Sequence, residues 1–132
     1  MIEMEKFEKE VKNNPEDIGL LTTLGNIYFD LEETDRAIET YNKVLSVEPD
    51  NDAVLVDCGV MYRAKGKFDK AIEYLDKALR SNPQNKQALF NKTIIYRFDL
   101  NDLESAQKSF KELQDKFPDD PHIAAFSKEL GL

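Results

Sequence analysis

The sequence predicts an all-α fold of stacked, antiparallel helix pairs, and three observations predict it. Tyr28, Tyr62 and Tyr96 recur every 34 residues, in step with Leu21, Leu55 and Leu89. Small residues and breakers keep the same register: Gly25 with Gly59, Ala37 with Ala71, and Pro15 with Pro49 and Pro83. Within each period the apolar residues return at three- and four-residue steps, which is helical spacing. A period shared by several residue types marks a repeat array whose units bury their apolar faces only against neighbours. Such arrays present a surface to a partner and rarely perform chemistry.

The elements follow in order. Residues 1–17 read as half a unit, with Met4, Phe7 and Val11 as the apolar stripe of one helix and Pro15 in phase with the unit-closing prolines. The half-unit is either an N-terminal cap or the edge of a longer array, and its charged outward face favours a cap. Residues 18–51 form the first whole unit. Leu20, Leu21, Leu24, Ile27, Tyr28 and Leu31 give one helix, and Ala37, Ile38, Tyr41, Val44 and Leu45 give the next. Between them Glu32-Glu33-Thr34-Asp35 breaks the stripe, with Thr34 or Asp35 as the expected cap of the second helix. Two helices joined by so short a turn run antiparallel.

Gly25 and Ala37 leave room where the two backbones approach, and Tyr28 and Tyr41 fill the volume beside them. Residues 52–85 repeat the pattern. Residues 86–120 repeat it again with Thr93 in place of the glycine. There the register slips by one, because Ala106 and Pro118 follow Ala71 and Pro83 by 35. The extra residue is expected in the turn between Phe98 and Leu103, where insertion costs little. Residues 121–132 close the chain with a helix capped by Asp120, opened by Pro121 and stopped by Gly131. The expectation is eight helices.

A leucine, a glycine, a tyrosine, an alanine, a second aromatic and a closing proline at this period resemble the tetratricopeptide repeat (TPR) family across residues 18–120. Leu21, Leu55 and Leu89 stand where that family often carries tryptophan. The resemblance implies a right-handed α-α superhelix, a TPR solenoid, with the first helix of each unit lining its concave surface.

Composition excludes several functions. The net charge is −8 over 132 residues, which repels a phosphate backbone and makes nucleic acid an unsuitable partner. No segment approaches the roughly 18 apolar residues that a membrane span needs, so no insertion is expected within this chain. With no secretory leader at Met1, the expected location is cytoplasmic, and a soluble domain of a longer or anchored protein would read the same way. Cys58 and His122 are the only residues of their kinds, so no intrachain disulfide, catalytic triad or zinc cluster can be assembled, and no glycine-rich phosphate loop is present. The chain is expected to be no enzyme and to need no cofactor or metal.

The binding candidates come from the resemblance, which places Asn26, Val56, Val60, Arg63, Phe90, Asn91, Ile94 and Arg97 on the concave wall. Val56, Val60, Phe90 and Ile94 lie off the stripe between paired helices and are expected to form an exposed apolar patch, which usually marks a binding site. The other reading is that neighbouring helices, or the last helix folding back, cover it. Arg63 and Arg97 stand one unit apart and suit an acidic group of a bound peptide, unless Asp30 and Asp57 neutralise them. Asn26 and Asn91 suit an extended peptide backbone.

TPR co-chaperones hold the terminal carboxylates of heat-shock chaperones with Lys and Asn, then Asn, then Lys and Arg. The matching positions here hold Thr22 and Asn26, then Asp57, then Gln87 and Asn91, so a carboxylate-clamp ligand is not expected. The leading expectation is an adaptor that binds a protein or peptide segment in the groove. A homo-oligomeric scaffold, pairing through the N-terminal helix or the groove, is the alternative. Around Phe90-Asn91-Lys92 and Asp99-Leu100-Asn101-Asp102 the chain also looks like bacterial TPR proteins of cytochrome c maturation, a weaker reading.

Overall fold

The computed structural model describes residues 2–132. Among them it contains eight helices and no strand. These are α1 (Ile2–Asn13), α2 (Ile18–Asp30), α3 (Thr34–Val47), α4 (Asp52–Ala64), α5 (Phe68–Ser81), α6 (Lys86–Ile94), α7 (Leu103–Lys116) and α8 (Pro121–Leu130). A π turn over Ile95–Asp99 continues α6. Three hairpins result, α2/α3, α4/α5 and α6/α7, with α1 packed on the first and α8 on the last.

The hairpins stack in register because the same cap recurs at each start. Asp17, Asn51 and Asn85 each accept the backbone N–H of the third residue on, at 3.1, 3.1 and 2.9 Å, which satisfies a donor that the helix leaves free. Asp120 caps α8 in a related way, accepting the N–H of the second residue on, His122, at 2.9 Å, so α8 begins much like the first helix of a further unit. The second helices start differently. Neither Thr34 nor Asp35 caps α3; Glu33 holds the cap position without a side-chain bond. The turn is tight enough to restart the helix one residue early, with Glu32 in the left-handed region and the Glu33 N–H donating to Tyr28 O.

Gly66 and Asn101 occupy the equivalent left-handed position in the other two turns. Lys67 donates back to Tyr62 O just as Glu33 does to Tyr28 O, whereas Asp102 reaches one residue further, to Tyr96 O. The extra residue therefore lies inside the end of α6 and not in the turn beyond Phe98. The Leu100 N–H bonds Ile95 O across five residues, where Leu31 and Lys65 bond across four. An i→i+5 turn absorbs one residue without breaking the helix.

Close packing locks each hairpin. A Cβ added at Gly25 would stand 2.7 Å from Cε1 of Tyr41, a ring that is fully buried. At Gly59 the neighbours are Leu75, at 3.1 Å, and the Ala71 carbonyl. The apolar interior runs as three linked clusters, one around Leu24 and Tyr41, one around Leu55 and Leu75, and one around Leu89, Phe110 and Phe126. Each fully buried Leu contributes about 2 kcal/mol over its exposed state. Cys58 belongs to the first cluster, and burial, helped by Asp57, pushes its thiol up to about 12. That holds it as a small apolar side chain.

The first helices α2, α4 and α6 touch one another along one wall, and the second helices stand further apart. Closer spacing on that side makes it the inner, concave face. No helix among the described residues is long and apolar enough to cross a membrane.

Candidate functional site

The eight candidate residues divide into three groups. Phe90, Asn91 and Ile94 come together with Lys86, Gln87, Asp120 and His122 around a pocket of about 370 Å³ between α6 and the start of α8. Val60 and Arg63 line a separate hollow of about 380 Å³ with Ala64, Gly66, Phe68 and Asp99. Val56, Asn26 and Arg97 line neither.

The expected patch is thus smaller and less open than the sequence suggested. Val56 is buried, at 6% exposure, in a cluster that reaches Ala88 and Ile95 of the next hairpin. Its position off the intra-hairpin stripe reflects packing between hairpins. Phe90 is half-buried because α8 folds against α6, with the Phe126 ring 4.7 Å from its own. Ile94 is half-buried against the same cluster, and Val60 bridges the first two. What stays open is one face each of Val60, Phe90 and Ile94.

Both arginines are engaged within the fold. Arg63 donates from Nε and Nη2 to the two oxygens of Asp99, at 2.5 and 3.2 Å. Arg97 donates from Nε to the Leu130 carbonyl at 2.7 Å, where α8 ends, and its guanidinium lies 5.4 Å from the Phe98 ring. Neither Asp30 nor Asp57 neutralises them. Asp99 does so for Arg63, because the π turn swings it toward α4. The asparagines are also used. Asn26 Oδ1 accepts from Tyr41 at 2.7 Å, which satisfies a buried hydroxyl, and the Asn91 amide donates to Gln87 O of its own helix.

Lys86 is paired too, its ammonium contacting Asp120 across the mouth of the α6/α8 pocket and stacking 4.9 Å over Phe117. That ammonium and the His122 N–H hold the Asp120 carboxyl below its usual range. The unmatched charge on this wall is negative. Asp57 is half-buried and makes no hydrogen bond or ion pair among the described residues. Its carboxyl is raised to about 6, by burial first and by the nearby charge of Asp30 second. A half-buried carboxylate without a partner costs free energy in the isolated chain.

Reasoning from sequence missed Asp99, Lys86, Asp120 and His122. The signal for the last three was present, because Asp120 keeps the register of Asn85 and so puts α8 on the inner wall. Asp99 had no such signal, lying within the irregular π turn. A larger furrow of about 780 Å³ lies on the outer face between α3 and α5, with Leu45, Leu55 and Tyr74 at its floor and Asp50, Lys77 and Arg80 among its polar lining. It is the seam between hairpins and recurs between α1 and α3 at Pro15, Lys43 and Ser46.

Two family models described as tetratricopeptide repeat match residues 22–86 and 62–130. No curated protein matches the chain. Among solved structures, a MamA D159K mutant aligns with a TM-score of 0.75 at 26% identity, over 86% of this chain and 65% of its own. This chain therefore spans less than two thirds of that protein. A tetratricopeptide repeat protein from Parabacteroides merdae aligns with a TM-score of 0.84 at 20% identity, over 96% of this chain and 49% of its own. The first TPR of Spaghetti (RPAP3), solved bound to the HSP90 peptide SRMEEVD, aligns with a TM-score of 0.75 at 24% identity, over 86% and 92%. Below 25% identity the likeness is one of fold.

Proposed function

The chain belongs to the tetratricopeptide repeat family, and from that premise we propose that it docks a cationic, partly apolar protein segment along its concave wall. As a right-handed superhelix of that family it is a protein-interaction module, and no reaction is assigned to it. The α6/α8 pocket of Phe90, Asn91 and Ile94 takes an apolar side chain of the partner. Val60 extends the apolar track one hairpin toward the N-terminus. Asp57 and Asp30 meet a lysine or arginine of the segment.

The observation that carries this reading is the pairing of every concave cation named above, while Asp57 is left unmatched in a half-buried position. An incoming ammonium or guanidinium relieves the cost of that carboxylate; an incoming carboxylate raises it. The wall therefore selects a charge opposite to that of SRMEEVD, the ligand of the Spaghetti domain.

Selection of random peptides displayed on phage tests this. The reading expects enrichment of segments that combine lysine or arginine with one large apolar residue, and loss of that enrichment on Asp57→Lys. Enrichment of acidic segments would overturn the charge assignment. Failure of Asn91→Arg, which fills the pocket, to weaken any selected peptide would overturn the site.

A further inference from the structure

We propose that the edge formed by the hairpin turns is a second interaction surface, and that its partner is another copy of this chain. Among the described residues, four of the five large apolar side chains left exposed lie there, Leu31 at 51%, Phe98 at 54%, Leu100 at 37% and Leu103 at 48%; the fifth, Val47, ends α3 on the opposite edge. Leu31 and Leu100 occupy equivalent places in the first and third turns, and Phe98 and Leu103 flank the third. Nothing in the hairpins needs these side chains in water. An apolar surface of this kind, gathered on one edge, marks a contact.

Charge complementarity identifies the occupant. The first turn carries Glu32, Glu33 and Asp35 with a single Arg36; the second carries Lys65, Lys67 and Lys70 around a single Asp69; the third carries Asp102 and Glu104. The edge thus reads acidic, basic, acidic. Within the chain the first two turns already use this complementarity, since Lys65 reaches Asp35 at 2.6 Å. Lys67 and Glu104 make no ion pair among the described residues.

A two-fold axis set between the second and third turns lays the basic turn of one copy on the acidic turn of the other, twice. Such an interface is isologous and self-complementary. Its centre is apolar, and it has a socket. Gly66, Phe68 and Leu100 line a hollow of about 450 Å³ between the two turns, rimmed by Lys67 and Lys70. Phe98 or Leu103 of the facing copy fills it.

Sedimentation velocity over a concentration series decides the matter, with far-UV circular dichroism as the check on folding. The wild-type chain is expected to show a concentration-dependent monomer–dimer equilibrium. Leu103→Glu, at an exposed position, is expected to be monomeric with unchanged helicity. Lys67→Glu alone and Glu104→Lys alone are each expected to weaken dimerisation roughly tenfold, since each breaks two symmetric pairs. The double variant Lys67→Glu/Glu104→Lys is expected to restore it. A wild-type monomer at every concentration overturns the proposal. So does a dimer that survives Leu103→Glu, or one whose charge swaps fail to compensate. Lys67→Glu lies in a solvated turn and keeps the test valid if Leu103→Glu misfolds.

Discussion

Arg63 and Asp99 join α4 to the π turn after α6 through two bonds to one carboxylate, and Asp99 is only 15% exposed. The pair ties the second hairpin to the third at the point where the period slips by one. Asp99→Asn keeps the shape but removes the charge, and is expected to cost about 1 kcal/mol in urea unfolding. A double-mutant cycle with Arg63→Gln should recover most of that as coupling. Additive losses would mean that the fork contributes nothing to stability.

Gly25→Ala should destabilise the chain although alanine is the better helix former. Propensity favours the change by about 1 kcal/mol. The added methyl meets the buried Tyr41 ring at 2.7 Å, and overpacking at such a site costs roughly 2–3 kcal/mol. The expected net loss is about 1–2 kcal/mol, read by thermal or urea denaturation. Gly59→Ala should cost less, because its nearest neighbour is the branched end of Leu75 at 3.1 Å.

The turns offer a paired test of backbone strain. Glu32 and Gly66 occupy equivalent places, with φ of 58° and 75°. A residue with a Cβ loses about 1 kcal/mol there relative to glycine. Glu32→Gly is expected to raise stability by about that amount and Gly66→Ala to lower it similarly. Two changes of the same sign would contradict the assignment.

Burial and Asp30 raise the Asp57 carboxyl from 3.8 to about 6, so in the folded chain it binds its proton more tightly than in the unfolded one. Its cost to stability is therefore absent below about pH 4, grows as pH rises, and is complete above about pH 6. Allowing for solvent screening, the cost is on the order of 1–2 kcal/mol. The stability of Asp57→Asn minus that of wild type should rise from near zero at acid pH to that value at neutrality. A difference that is flat with pH would place the carboxylate in water. Asp35, Asp52, Asp102 and Asp120 shift the opposite way, which is why the difference between the two proteins is the quantity to follow.

Much of the fold was legible because it is periodic. Tyr28, Tyr62 and Tyr96 marked the hairpins, and Asp17, Asn51 and Asn85 began them in the same phase. The site was less legible, for physical reasons that differ by residue. Val56 looked like surface because a helical stripe reports contact within a hairpin, whereas its cluster extends to Ala88 and Ile95 of the next hairpin along. For Arg63 the sequence offered Asp30 and Asp57 as partners and not Asp99, which sits in the one aperiodic turn, where spacing carries no information. Arg97 meets a backbone carbonyl, Leu130 O, and no pattern of side-chain types marks a carbonyl. Asp57, by contrast, was visible as an acidic residue on the wall, but its isolation from every cation was not.

The most direct test of the account is nuclear magnetic resonance titration of the full chain with a peptide selected on it by display. Docking on the concave wall predicts the largest shift changes at Asp57, Val60, Asn91 and Ile94, with the α3/α5 furrow at Ser46, Lys77 and Ser81 unmoved. Changes confined to that outer furrow, with the four concave residues silent, would contradict it.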